Sequence, residues 1–245
     1  MATEEQFQPD ARRLTAVEAA LLVFAAYFFA NAALSRLLPG SGARAWLMLS
    51  LIPPLVLLAG ALLIRRRSVG LSPIASRTPW LMLAALGTLL LGAAGGIWIG
   101  PTLPSRLAPL LSDGWAAVWG LAWVGVAAPI IEELFFRGTL QPAIERRIGG
   151  MAAVVLSAIA FALAHYGQPE VFIIGGIGLA TGVVAHLTGY VLPAIALHVG
   201  WNLGTVGVSF LDYELASGWP LTLLMVLGLL CTIEARRRYD RRPGT

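Results

Sequence analysis

Long apolar runs separated by short polar breaks restrict this chain more than any other feature. Eight occur, at residues 14–38, 46–64, 80–99, 115–136, 151–165, 171–187, 190–210 and 219–233. A helix needs about 20 apolar residues to cross a bilayer, so the runs predict an all-α integral membrane protein of about eight transmembrane helices. Only 12% of residues are charged, against about 25% in an average soluble domain. With 58% hydrophobic residues, the chain is neither an ordinary cytosolic domain nor a disordered one. Cys231 is the one cysteine, which excludes a disulfide framework and a thiolate metal cluster. No repeat, low-complexity tract or second domain is visible, so residues 1–245 read as one polytopic membrane domain.

Local breaks are expected inside several runs. Pro53-Pro54 predicts a kink or break in the second. Gly92, Gly95 and Gly96 loosen the third, and Pro101, Pro104 and Pro109 mark a connection before the fourth. The sixth carries Gly178 and Gly182, a small-xxx-small pair that lets helices approach closely. Ala30-Asn31-Ala32 has the look of a signal-peptide cleavage site, but the segment ahead of it is acidic rather than positive. The first run is therefore expected to remain a span.

All seventeen basic residues are arginines, and with abundant Ala and Gly this composition suggests a GC-rich bacterial gene. Eight spans with both termini in the cytoplasm put Arg12, Arg13, Arg65, Arg66, Arg67, Arg77, Arg137, Arg146, Arg147 and the five tail arginines inside. Only Arg36, Arg44 and Arg106 fall outside. That asymmetry is what the positive-inside rule requires, and seven spans would reverse the tail. The basic balance thus serves topology in a cell membrane and gives no support to a nucleic-acid partner.

A charge at the centre of a membrane helix costs about 2.5–3.5 kcal/mol on insertion scales, while each large aliphatic returns about 0.3–0.6. The fourth run nevertheless ends in Glu132-Glu133-Leu134-Phe135-Phe136-Arg137. Glu133 and Arg137 are four apart and can pair on one helical face; Glu132 is rotated about 100° away. By itself the cluster is compatible with a charged helix end. The three histidines all lie in apolar runs: His165 in the fifth, His186 near the end of the sixth, and His198 in the seventh, four residues before Asn202. A single buried histidine is ordinarily a packing residue, and His186 is read so. Two histidines, an asparagine and a carboxylate pair on separate spans are more than packing needs, because intramembrane ionisable groups usually face one another.

Such a cluster supports several chemistries. A carboxylate beside an imidazole can deprotonate water, and imidazole N–H and amide groups can stabilise an oxyanion. Glu132, His165 and His198 could alternatively bind zinc, although no HExxH is present. No GxSxG supports a serine nucleophile.

In these residues the sequence resembles the CPBP family of intramembrane proteases, which includes the Rce1-type CAAX prenyl endopeptidases and bacterial Abi proteins. The family pattern EExxxR, FxxxH and HxxxN is met by Glu132 to Arg137, Phe161 to His165, and His198 to Asn202, each on a different span. The matched core runs from about 129 to 202, within a catalytic core of about 115–210. The resemblance implies a multi-spanning helical fold and peptide-bond hydrolysis without a cofactor. It implies that Glu132 activates water, with His165 as its partner, that His198 and Asn202 stabilise the oxyanion, and that Glu133 and Arg137 support them. A peptide or membrane-protein segment would be the substrate; prenylated CAAX peptides are typical of eukaryotic relatives. The alternatives are zinc-dependent proteolysis, a non-catalytic membrane regulator or peptide-binding partner, and a proton-coupled transporter. Oligomeric state is not encoded legibly.

One geometric requirement follows from chain length. Glu132 and His165 each lie about sixteen residues from a hairpin at Gly149-Gly150, or about 24 Å along a straight helix. They meet only if the fourth helix continues past Arg137, or if Arg137 is drawn inward onto Glu133.

Overall fold

A computed structural model describes residues 11–37, 48–65, 78–100, 114–166, 168, 170–207 and 218–240. Among the described residues the chain is a series of helical rods with no strand. They are α1 (Ala11–Leu37), α2 (Ile52–Arg65), α3 (Thr78–Ile99), α4 (114–148), α5 (Gly150–Ala164), α6 (Val171–Thr188), α7 (Val191–Gly207) and α8 (Trp219–Asp240). Stretches within α1, α3, α4, α6 and α8 are long and apolar enough to cross a bilayer, while the helices at Met48–Ile64, Gly150–Ala164 and Val191–Gly207 are apolar but shorter. This is a multi-pass membrane protein. The expected connection at 101–113, and Arg44, Arg66, Arg67, Arg77, Arg106, Arg241 and Arg242, lie outside the described residues.

Pro53 and Pro54 break the second run at its start. Leu51 forms a turn and the prolines occupy the first turn of α2, where a missing N–H costs nothing.

The glycines of the third run do the reverse of loosening it. A side chain at Gly92 would run into the backbone of Leu197 and Trp201, and one at Gly96 into that of Trp201 and Thr205. From the other side, Gly200 and Gly204 meet the backbone of Leu89 and Ala93. Backbone lies against backbone along α3 and α7, the close approach that small residues permit between membrane helices. Thr88 on α3 adds a buried hydrogen bond, its hydroxyl donating to Pro193 O at 2.8 Å. Gly87 and Gly228 bring α3 and α8 together in the same way.

The polar piece at 138–148 is helical and continuous with the fourth run, so α4 is one rod with two π-type turns, Trp123–Ala127 and Phe136–Leu140. A proline follows each closely, Pro129 and Pro142. In a π turn each amide reaches five residues back, as Ala128 N–H does to Trp123 O. Pro129 has no N–H to continue that register, which frees the carbonyl of Val124. Such interruptions are frequent at functional sites. Gly149, at φ 91°, turns the chain directly into α5, so α4 and α5 form the antiparallel hairpin expected from the sequence.

Candidate active site

Both geometric routes to a meeting of α4 and α5 are taken. α4 continues past Arg137, and Arg137 is itself drawn inward, 2% exposed. It is therefore a core residue and not a marker of the membrane interface. Its Nε stands 3.2 Å from Glu133 Oε2, with neither side chain exposed. The guanidinium lies 4.9 Å from the centre of the Phe161 ring and 5.6 Å from that of Phe136, a cation–π arrangement favoured out of water. Its Nη2 donates to the carbonyl of Gly178 on α6. One turn on, Gln141 Nε2 donates to Gly182 O at 3.1 Å. The small-xxx-small pair thus opens two backbone carbonyls to a pair of α4 side chains, and fixes the rotation of α4.

That rotation presents Glu133 to α7. His198 Nδ1 is 2.9 Å from Glu133 Oε1. A carboxylate held against a guanidinium is an acceptor only, so His198 Nδ1 is the donor. Its other nitrogen, Nε2, faces Glu132 Oε2 at 4.0 Å. That is too long for a hydrogen bond and is the spacing at which one water can sit off the line between two groups. Glu132 is 7% exposed. The two adjacent carboxylates are thus differentiated: Glu133 faces a cation and an imidazole N–H, whereas Glu132 looks toward a ring nitrogen lone pair.

His165 sits at the C-terminal end of α5. Its Nδ1 is 2.9 Å from Phe161 O, and a carbonyl accepts, so this nitrogen carries the proton and Nε2 is left with the lone pair. Phe161 lies between the two histidines, its ring centre 4.8 Å from that of His165 and 5.5 Å from that of His198. Asn202, one turn beyond His198, donates from Nδ2 to Val124 O at 2.8 Å. It fills the place of the amide that Pro129 lacks, and ties α7 to the interruption in α4. Its second N–H and its carbonyl oxygen are not engaged by that bond.

Glu132, Glu133, Arg137 and His198 therefore form one buried cluster, with His165 against the same Phe161 ring and Asn202 at the α4–α7 seam. His186 stands apart. Its Nδ1 is 3.2 Å from Glu145 Oε1, both part-exposed, and its ring covers Gly150, a packing role at the α4–α5 turn. Among the described residues no three His, Cys, Asp or Glu side chains gather closely enough to hold a metal ion.

Two residues of α1 reach the site without having been singled out in the sequence. Tyr27, 2% exposed, packs in the core with Phe135, Phe136, Phe161 and Ala164, and its phenol lies within electrostatic range of Glu132. Asn31 Nδ2 donates to Ala164 O at 2.8 Å. The signal for Asn31 was present: an amide in an apolar span is costly, by the argument already applied to Glu132.

Residues 114–204 match the family model described as type II CAAX prenyl endopeptidase Rce1-like. This segment includes every member of the EExxxR, FxxxH and HxxxN set, and the match supports the resemblance to a CPBP/Rce1-type family. No curated protein and no solved structure gives a significant match. The family supports a protease of the CAAX endopeptidase type, acting on a peptide or protein at a membrane.

Proposed function

We propose that this protein is an intramembrane endopeptidase in which Glu132 activates the attacking water. The observation that carries the reading is the inequality of the two carboxylates. Glu133 is held by Arg137 at 3.2 Å and His198 at 2.9 Å, while Glu132 stands 4.0 Å from His198, beyond hydrogen-bond reach. A carboxylate relieved of structural duty in a site shielded from solvent suits general-base work.

In this scheme Glu132 takes a proton from water as the water oxygen bonds to the scissile carbonyl carbon. The carbonyl electron pair moves onto its oxygen. His165, with the Nε2 lone pair free, orients the same water. Asn202 offers its second amide N–H to the oxyanion, and His198, held by its bond to Glu133, lines the same site. Collapse of the tetrahedral intermediate breaks the C–N bond, and the leaving nitrogen takes the proton from Glu132. No cofactor enters. Glu133 and Arg137 hold His198 and neutralise one another. Eight spans would form one polytopic membrane domain with cytoplasmic termini, and residues 115–210 would be its catalytic core. The substrate would be a peptide, a leader sequence or a membrane-protein segment.

The test is cleavage of reporter peptides by the purified protein in liposomes. Glu132→Gln and His165→Ala are each expected to lower turnover by about 10²-fold or more. Unchanged turnover in Glu132→Gln would overturn the mechanism. Physiological function that survives Glu132→Gln would favour a non-catalytic peptide-binding partner.

A further inference from the structure

The end of α5 can be accounted for carbonyl by carbonyl. A helix leaves its last four C=O groups without intrahelical partners. Here Phe161 O receives His165 Nδ1–H at 2.9 Å, Ala162 O receives the His165 backbone N–H at 3.0 Å, and Leu163 O that of Tyr166 at 3.0 Å. The fourth, Ala164 O, receives Asn31 Nδ2 from α1 at 2.8 Å. Ala164 is 3% exposed, so water is a poor substitute for that donor. An unmet carbonyl would fall on the residue immediately before His165. The bond that sets the His165 ring, to Phe161 O, spans the same final turn.

Asn31 belongs to a face of α1 that also carries Ala20, Tyr27 and Leu34, all buried. That face packs on the aromatic core beneath the candidate site. It lies outside the segment matched by the family, 114–204. We infer that Asn31 is a positioning residue for the candidate active site. By meeting the last carbonyl of α5 it holds the final turn closed, and so presents His165 with Nδ1 protonated and Nε2 free. The inference rests on the hydrolytic role proposed for His165. It adds that α1 completes a site which the matched segment alone leaves loose.

The experiment is a double-mutant cycle on the full chain in liposomes, with cleavage of a reporter peptide as readout. Asn31→Leu, close in volume but without the amide, is expected to lower kcat by about 10- to 10²-fold, the scale of an ångström-sized misplacement, with KM held within about twofold. In a His165→Ala background the same change should add nothing further, because both act through one group. Multiplying losses would make Asn31 a general packing residue and overturn the inference. Wild-type kcat in Asn31→Leu, with His165→Ala inactive, would overturn it while leaving the role of His165 intact. Wild-type turnover in His165→Ala would instead remove the hydrolytic role on which it rests. Asn31→Ala, which vacates space, serves if the leucine variant fails to fold. The ¹⁵N resonances of His165 in the wild-type protein give a check free of substitution. A proton resident on Nδ1 is expected, and an Nε2–H tautomer overturns the inference.

Discussion

The two faces of α7 are built from opposite chemistry, two residues out of phase. Gly200 and Gly204 lie backbone to backbone against Leu89 and Ala93 of α3. On the other side His198 and Asn202 reach Glu133 and Val124 of α4. The first seam is small, apolar and without charge, and its strength is dispersion and close packing. The second includes a carboxylate, an imidazole and an interrupted helix. Each of those groups is costly in a membrane unless a partner meets it. The glycine seam lets α7 be held firmly with no charged group, so the costly face is free to be arranged for chemistry.

Three substitutions and one control break or sharpen that contrast. Arg137→Met strands Glu133 as a buried charge, and removal of one partner of a buried pair costs about 3–5 kcal/mol. Thermal unfolding in detergent should show the largest loss here, with little folded protein recovered. Gly204→Leu acts on the opposite face. The new side chain meets the backbone of Ala93, and overpacking of this kind costs about 1–3 kcal/mol or more. Gly207→Ala, where a Cβ meets nothing within 4 Å among the described residues, is the control and should leave the unfolding midpoint unchanged. Asn202→Ala orphans Val124 O, at about 1–3 kcal/mol. Its cleavage rate should fall further than its stability if the free N–H of Asn202 serves an oxyanion; equal proportional losses would leave Asn202 as a seam residue only.

Much of this arrangement could be read from the sequence, because its determinants are local. Apolar runs gave the rods, the four-residue spacing gave the Glu133–Arg137 pair, and Gly149-Gly150 gave the hairpin. What could not be read depends on how each rod is rotated about its axis, which tertiary contacts decide. Sequence paired Glu132 with His165, whereas the nearest imidazole is that of His198, turned by its bond to Glu133. The glycines of α3 loosen a helix considered alone and tighten it once α7 lies against them. The π turns leave no periodic signature of their own, although Pro129 and Pro142 mark where they end. Asn31 was hidden in a tripeptide that imitates a cleavage site.

The central claim is a division of labour between neighbouring carboxylates, and single-turnover cleavage by Glu132→Gln and Glu133→Gln, with unfolding measured on the same samples, tests it most directly. Glu132→Gln should lose cleavage by about 10²-fold or more while unfolding close to the wild type, and Glu133→Gln should unfold markedly earlier. Cleavage at the wild-type rate by folded Glu132→Gln would contradict the account.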